Sequence, residues 1–242
     1  MTVAILTNRA IIRLTPRSPE EDVAGFLQGL VTNDVTGSFP VYAALLSAQG
    51  KTMFDFLVWS DGSDLLLDCE AEVADDLAKR LSLYRLRRQI DILRDETLAC
   101  YWSIEPFDGS VEDPRLPALG YRAVMDKREI PAGDADYLRH RLSIGVPEGA
   151  ADLSDILWLE TNAVELNGVS FEKGCYIGQE NTARMNWRQK VNRRLVVVPL
   201  DRSDEKRRKS SYGELGLAVD HLRIADMDSA VLPDWQARAI SQ

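Results

Sequence analysis

The order of strand-like and helix-like patterns in the first ninety-odd residues constrains the fold of this chain more than any other feature. A β-branched apolar run at residues 10–14 predicts a strand. Apolar residues then recur at the i, i+3, i+4, i+7 spacing of a helix with one buried face; they are Val23, Phe26, Leu27 and Leu30. Ser18 as N-cap and Pro19 at the first position predict that this helix begins at residue 19.

Five more elements follow before residue 95. Strands are predicted at residues 42–46, 53–59 and 65–69, with a turn at 60–63 leading into the last of them. A second helix is predicted from apolar side chains at helical spacing, Val73, Leu77, Leu81 and Tyr84, and a final strand at residues 90–93. The order β-α-β-β-β-α-β resembles the split β-α-β unit of ferredoxin-like folds with one extra strand, so the sequence predicts an α+β fold.

The rest of the chain continues this mixture and then changes character. Strands are predicted at residues 99–104 and 119–125, a loop at 105–118, and helices at 137–143 and 156–166. We expect these elements to complete a first domain of residues 1–193. Residues 194–242 open with a strand-like run at 195–200 and a charged run at 201–209. This segment is too short for a core of its own, so it is expected to pack on the main domain.

Composition limits the class of protein. The chain has 242 residues, of which 45% are hydrophobic, enough to fill a core without disulfide or metal staples. No apolar run approaches the roughly 20 residues that a membrane-spanning helix needs. Residues 1–9 lack the pattern of a secretory signal and that of a transit peptide, which predicts a cytoplasmic protein without a membrane anchor.

Cysteine, histidine and charge narrow the chemistry further. The three cysteines are widely spaced and there are only two histidines, so neither a disulfide framework nor a zinc site is predicted. The formal net charge of -9 opposes indiscriminate binding to nucleic acid, because that affinity depends on neutralisation of phosphates by Lys and Arg.

Residues 171–194 concentrate glycine, thiol, amine and carboxylate groups where a core element would show periodic apolar residues. Gly174 and Gly178 bracket Cys175 and favour a tight loop. A helix is predicted from residue 179 to 194, so Cys175 would precede a helix N-terminus, where the helix dipole and Lys173 would both favour its thiolate. The alternative, an inert buried thiol, is the commoner fate of a free cysteine. We favour that alternative for the two other cysteines, Cys69 and Cys100.

Polar residues that follow this loop could bind a polar or anionic ligand. Gln179 and Glu180 could orient such a ligand, or they could stabilise the start of the helix. A basic ladder follows, made of Arg184, Arg188, Lys190, Arg193 and Arg194. It could meet a carboxylate, an RNA backbone or an acidic protein face, or it could be a solvated helix surface, which is the usual meaning of such a run.

Residues 173–180 read KGCYIGQE, which resembles the signature octapeptide of the YgfZ family. The resemblance covers roughly residues 9–200, with a fainter echo at 216–219. It continues through residues 26–35, 42–46, 50–51, 84–87, 113–115, 119–122 and 145–149. It implies a tetrahydrofolate-binding fold shared with the glycine-cleavage T-protein, an aminomethyltransferase. It also implies use of that fold in the assembly or repair of iron–sulfur clusters and thereby, through iron–sulfur enzymes, in tRNA modification.

The resemblance implies roles for individual residues. Cys175 and Lys173 match the family's key cysteine and lysine. The residues expected to contact tetrahydrofolate or a one-carbon derivative are Tyr176, Gln179, Glu180, Asp55, Arg122 and Arg184. The expected partners are folate and iron–sulfur proteins or their assembly factors, and no metal site of the chain's own is predicted.

Three departures limit how far T-protein chemistry carries over. Phe54 and Asp55 stand where the T-protein has a paired Asp-Asp. The segment at residues 120–122, Gly-Tyr-Arg, lacks the acid that the T-protein supplies to the pterin. The C-terminal β-barrel domain of YgfZ is longer than residues 194–242, so a shortened C-terminal β segment is expected.

Three functions therefore compete. The first is a folate-dependent accessory factor in which Cys175, assisted by Lys173, handles a sulfur, iron or one-carbon intermediate. The second is a folate-dependent methyl or aminomethyl transferase with Asp55 as an acid–base or cation-stabilising residue, although we favour an outward position for Asp55 on its strand. The third, direct tRNA binding by the basic ladder, is disfavoured by the net charge of -9.

Overall fold

Three antiparallel sheets and six α-helices make up the part of the chain that the computed structural model describes, residues 3–187, 191–228 and 232–240. The strands are β1 (Ala4–Leu6), β2 (Arg9–Pro16), β3 (Val41–Leu46), β4 (Thr52–Asp61), β5 (Asp64–Glu70), β6 (Ile90–Arg94), β7 (Leu98–Ser103), β8 (Val111–Glu112), β9 (Tyr121–Asp126), β10 (Arg193–Pro199), β11 (Arg208–Tyr212) and β12 (Leu217–Arg223). The helices are α1 (Val23–Gln28), α2 (Ala74–Arg85), α3 (Asp134–Ser143), α4 (Ala150–Leu153), α5 (Gln179–Trp187) and α6 (Asp234–Ile240).

The first sheet has the strand order β3-β4-β5-β2-β6. Without β3, the order β4-β5-β2-β6 is that of a ferredoxin-like unit, and β3 is the extra strand at one edge. Helices α1 and α2 cover one face, where Phe26, Leu27, Leu77 and Leu81 are buried against the sheet. Burial of this apolar face is the main force that holds the unit together. The predicted α+β class is confirmed.

The opposite face of the first sheet forms a second core with the rest of the chain. Tyr42 of β3 packs there with Trp102 of β7 and with Trp158. The second sheet, β1-β7-β9-β8, and the third sheet, β10-β12-β11, contribute to the same core, the third through Leu195 and Val219. The C-terminal segment therefore packs on the main body through a short three-stranded sheet, whose edge strand β11 begins inside the charged run.

The first helix begins later than the sequence predicts. Helix α1 starts at Val23, and Asp22 is its N-cap: the Asp22 carboxylate accepts a hydrogen bond from the backbone N–H of Gly25 at 2.8 Å. Ser18 and Pro19 lie in the bend and turn before it. Aspartate caps a helix as well as serine does, so the local pattern offers two starts. The N-cap of the later start, Asp22, lies directly before Val23, the first buried residue of the apolar stripe.

The described helices are short. The longest, α2, has 12 residues, and none of those in the described ranges is long and apolar enough to cross a membrane. The helix predicted at residues 156–166 is wrong: a single 3-10 turn, Trp158–Thr161, ends where Asn162 adopts the left-handed region with φ 66°. The apolar spacing there reflects burial of an irregular segment in the second core.

The basic ladder does not lie on one helix. Helix α5 begins at Gln179 as predicted and is described as far as Trp187, and this described part carries Arg184 of the ladder. Arg193 and Arg194 instead begin strand β10. The two remaining members, Arg188 and Lys190, lie outside the described residues. The ladder is therefore divided between a helix and a strand.

Candidate functional site

Lys173 anchors the loop that carries Cys175. Only 9% of Lys173 is exposed, and its Nζ donates hydrogen bonds to the backbone carbonyls of Gln28 at 2.7 Å, Val31 at 2.5 Å and Asn33 at 3.0 Å. Burial lowers the pKa of Lys173 to about 8, against the opposing effect of Asp34. The loop is thus fixed to a segment up to 145 positions earlier in the chain.

Cys175 is exposed on a loop in which Lys173 and Tyr176 are buried. Tyr176 is 8% exposed, and the Lys173 ammonium lies 5.1 Å from the centroid of its ring. Gly174 is exposed, and no atom lies within 4 Å of the position that a Cβ would take there. Gly174 and Cys175 therefore form a two-residue bulge that faces solvent, so the buried position of Cys175 in the alternative interpretation is wrong. The two other cysteines, Cys69 and Cys100, are buried as predicted.

Gly178 fixes the far end of this loop. Its φ is 81°, in the left-handed region, and a Cβ there would lie 2.5 Å from the carbonyl oxygen of Ser47. It packs against Gly50, which also has a positive φ, of 78°. Asn181 adds a hydrogen bond from its Nδ2 to the carbonyl of Gln49 at 2.6 Å. The close approach that glycine permits here is to the chain's own backbone.

The polar residues after the loop lie on the outer side of α5. Gln179 is half-buried at the start of the helix, whereas Glu180 and Arg184 are exposed. Glu180 and Arg184 line an open groove of about 390 Å³ together with Ala183 and Trp187. Trp187 is 75% exposed, a high value for so large an apolar side chain. The groove thus presents a carboxylate, a guanidinium and an indole side by side.

Asp55 lies in the interior, with 6% of its surface exposed. Its Oδ2 accepts a hydrogen bond from the Tyr42 hydroxyl at 3.2 Å. Burial and repulsion by Glu148 raise the pKa of Asp55 to about 6, against the attraction of Arg9 and Arg115. The outward position predicted for Asp55 is wrong, because both faces of the first sheet are covered. A carboxyl with this pKa can exchange a proton near neutral pH.

Arg122 belongs to a closed ionic cluster and has no exposed surface. Its Nε donates to Asp113 at 2.9 Å and its Nη1 to Asp68 at 3.1 Å, while its guanidinium carbon lies 4.6 Å from the centroid of the Tyr137 ring. Arg115 pairs with Asp113 at 2.7 Å and with Glu148. The members of the cluster are Arg9, Asp68, Asp113, Arg115, Arg122, Tyr137 and Glu148. These buried charges are committed to one another.

Sequence reasoning missed most of this ionic cluster. Arg115 and Glu148 fall in segments that resemble the YgfZ family, but no role was predicted for them. Burial raises the pKa of Glu148, yet the attraction of Arg115 and Arg9 outweighs burial and leaves that pKa well below its ordinary value. The local pattern that could indicate such a cluster is a charged residue within an apolar strand, here Asp68 in β5.

The structure separates the predicted site residues into two groups. One group follows Lys173 along the loop and α5, with Cys175, Glu180 and Arg184 exposed. The other group, Asp55 and Arg122, is interior. Neither Asp55 nor Arg122 lines the groove beside Trp187 or either of two further cavities, of about 1090 and 50 Å³. Within the residues that the structure describes, no three His, Cys, Asp or Glu side chains are grouped so that they could hold a metal ion.

The fold defines the class of this protein. It matches the crystal structure of the glycine cleavage system aminomethyltransferase T from Bartonella henselae with a TM-score of 0.65, over 92% of this chain and 78% of that chain. The sequence identity is 13%, so the match establishes the fold alone. The chain therefore has the T-protein fold that the sequence predicts. No protein-family model matches the sequence.

Curated relatives of this chain are named as iron–sulfur cluster assembly factors. The human mitochondrial factor IBA57 is 35% identical over 236 residues, 80% of this chain and 65% of the human protein. Mouse IBA57 is 34% identical over 240 residues, 81% of this chain and 65% of its own length. The Neurospora crassa homologue is 30% identical over 231 residues, 79% of this chain and 52% of its own length. The chain thus spans 52% to 65% of the length of these relatives. None of them is named as YgfZ; what is shown of the predicted resemblance is its coarser part, the T-protein fold and similarity to proteins named as cluster assembly factors.

The prediction of a cytoplasmic protein is wrong. The human, mouse and Neurospora crassa relatives are all named as mitochondrial proteins. The prediction depended on the absence of a leader pattern in residues 1–9. A compartment is specified by a short address that a receptor reads, so neither composition nor fold determines it.

Proposed function

We propose that this chain is an accessory factor in the assembly or repair of iron–sulfur clusters, with Cys175 as its working residue. One observation carries the proposal: Cys175 is an exposed thiol on a bulge whose neighbours Lys173 and Tyr176 are buried. The names of the relatives support it, since they are those of iron–sulfur cluster assembly factors. A thiol that is exposed and held in place suits a group that must meet another macromolecule.

The chemistry proposed for this thiol is that of a thiolate ligand for iron. Iron–sulfur clusters are held chiefly by cysteine thiolates, about four for the common types. The described part of the chain offers one exposed thiol and no group of three metal-binding side chains. Cys175 would therefore supply one ligand, and a partner would supply the others. The expected partners are iron–sulfur proteins or their assembly factors, and tRNA modification would follow from the enzymes that they serve.

Tetrahydrofolate or a one-carbon derivative stays within the proposal, but the six predicted contacts do not form one site. Glu180 and Arg184 share the groove beside Trp187, and an aromatic face with a guanidinium suits a planar anion. Asp55 and Arg122 are buried elsewhere. No chemical step is therefore assigned to folate. Titration with tetrahydrofolate, repeated on Arg184→Ala and on Asp55→Asn, would show which of the two groups contacts it.

A complementation assay tests the role of Cys175. In cells that lack the native protein, Cys175→Ala should fail to restore the activity of iron–sulfur enzymes. Glu172→Ala, which changes an exposed residue of the same loop, should restore it. Thermal unfolding of the two purified variants would show that both are folded. Full rescue by folded Cys175→Ala would refute the proposed role.

A folate-dependent methyl or aminomethyl transferase is the second candidate. The observation that favours it is Asp55, a buried carboxyl with a pKa of about 6 within a T-protein fold. Purified protein incubated with labelled methylene-tetrahydrofolate and candidate amine donors should then show turnover that Asp55→Asn loses. Absence of turnover by the wild-type protein would eliminate this candidate and leave the accessory role.

A further inference from the structure

The Lys173 ammonium has no hydrogen-bond donor left for Cys175. A protonated lysine carries three N–H donors. Three backbone carbonyls, those of Gln28, Val31 and Asn33, lie 2.5 to 3.0 Å from its Nζ. To donate a hydrogen bond to a Cys175 thiolate, the lysine would have to give up its hydrogen bond to one of these carbonyls. That carbonyl would then have no donor. The geometry therefore favours a role for Lys173 other than direct assistance of the thiol.

Lys173 satisfies backbone carbonyls at and after the C-terminal end of α1. Gln28 is the last residue of α1, where carbonyls lack partners within the helix, and α1 has no basic residue in its last turn. Lys173 supplies from a distant part of the chain the cation that a helix C-terminus favours. The same segment is tied to β3, because the Thr32 N–H donates to the Ala44 carbonyl at 3.1 Å.

The other side of Cys175 is fixed independently. Gly178 packs against Ser47 and Gly50, in the turn between β3 and β4, and Asn181 bonds to Gln49 in the same turn. Both attachments of the loop therefore lead to the first sheet, one through the segment after α1 and one through the turn after β3. Gly174 and Cys175 lie between these two attachments. No atom lies within 4 Å of the position that a Cβ on Gly174 would take.

We propose that Lys173 is a positioning residue, whose ammonium ties the loop to the segment after α1 and thereby fixes where the Cys175 thiol is presented. This inference rests on the proposed role of Cys175. It differs from the role predicted from the sequence, in which the lysine assists the thiol directly. Loss of the ammonium should release both partners of the tie, the loop at residues 171–177 and the segment at residues 28–33.

Hydrogen–deuterium exchange on Lys173→Met tests the tie. Methionine keeps an apolar stem of similar length but removes the ammonium. Exchange should rise by about tenfold in amides of both residues 28–33 and residues 171–177, because their local opening becomes easier. Lys79→Met, which removes an exposed lysine from α2, should leave both segments unchanged. Unchanged exchange in either segment of Lys173→Met would overturn the inference.

The pH dependence of alkylation separates positioning from direct assistance. Cys69 and Cys100 are buried, so a thiol reagent reports on Cys175 in the folded chain, with Cys175→Ser as the background. Positioning predicts the same pH of half-maximal alkylation in Lys173→Met and in the wild type. Direct assistance predicts a rise of about one pH unit, because removal of a nearby positive charge disfavours a thiolate. A rise of that size would overturn the inference.

Lys173→Arg is the second variant, for the case in which Lys173→Met does not fold. Arginine keeps the charge, but its planar guanidinium cannot direct three N–H groups from a single atom at the three carbonyls. Exchange should therefore rise in both segments, and exchange equal to that of the wild type would overturn the inference. Neither measurement involves an iron–sulfur enzyme, so failure of this inference and failure of the proposed function can be told apart.

Discussion

Gly178 lies directly against Gly50, with both residues in the left-handed region, so that a Cβ on Gly178 would come within 3.1 Å of the Gly50 Cα. This contact joins the loop of Cys175 to the turn between β3 and β4. A backbone-to-backbone approach of this kind leaves no room for adjustment by a side chain. The presentation of the only exposed cysteine in the described ranges thus depends on two glycines about 130 residues apart.

Gly178→Ala should be far more destabilising than Gly174→Ala. At residue 178 the new Cβ would lie 2.5 Å from the Ser47 carbonyl oxygen, on a backbone with φ 81°. Strain and clash together should lower the free energy of unfolding by about 2 to 4 kcal/mol. At residue 174 the Cβ meets nothing within 4 Å, so a change within about 0.5 kcal/mol is expected. Urea unfolding of the two variants measures the difference, and equal stabilities would contradict this description of the loop.

Asp55→Asn should stabilise the protein at neutral pH and lose that advantage in acid. The pKa of Asp55 is raised from 3.8 to about 6, so the folded state holds its proton more tightly than the unfolded state. Ionised Asp55 therefore lowers stability above pH 6, and the penalty, at most about 3 kcal/mol, disappears as pH falls toward 3.8. The gain in unfolding free energy of Asp55→Asn over the wild type should be larger at pH 7.5 than at pH 5 by about 1 kcal/mol.

The control for this prediction is Asp61→Asn, which removes an exposed carboxylate at the end of the same strand. That variant should show no comparable change between the two pH values, because an exposed ion pair contributes little. A gain for Asp55→Asn that is greater at pH 5 than at pH 7.5 would show that Asp55 is held ionised in the folded protein.

Arg122→Met should be among the most destabilising single changes outside the apolar cores. It would leave the buried carboxylates of Asp68 and Asp113 without one of their cations. Breaking a buried charge pair from one side costs about 3 to 5 kcal/mol. Arg139→Met, which breaks the exposed pair with Asp136 on α3, should cost less than about 0.5 kcal/mol. Thermal unfolding compares them, and similar melting temperatures would be incompatible with a closed ionic cluster.

Much of the fold follows from local patterns. The apolar stripe from Val23 to Leu30 is buried as predicted, and the strands at 42–46, 53–59, 65–69 and 90–93 all form. The helix shows apolar residues at helical spacing, and the strands are short apolar runs bounded by turn residues, so both signals can be recognised in the sequence. Residues 156–166 show the limit, because similar spacing there arises in a segment that Asn162 turns out of the helical region.

Only part of the candidate site can be predicted from local sequence patterns. The octapeptide and its glycines led to Cys175, since a thiol between glycines is unusual in a core element. The outward position predicted for Asp55 is wrong because the pattern of one strand does not show that both of its faces are covered. The ionic cluster around Arg122 has members from Arg9 to Glu148, and no local pattern reports charges that meet across such separations.

The sequence by itself determined the α+β class, most of the strands and the loop that carries Cys175, because these depend on near-neighbour spacing and on residue types that bend or terminate a chain. Only the tertiary structure decided that Cys175 is exposed, that Asp55 is buried, and that Lys173 gives its three donors to carbonyls up to 145 positions away. The physical reason is that hydrogen bonds and desolvation act through space. Which groups share a small volume is set by the packing of the sheets and not by their order along the chain.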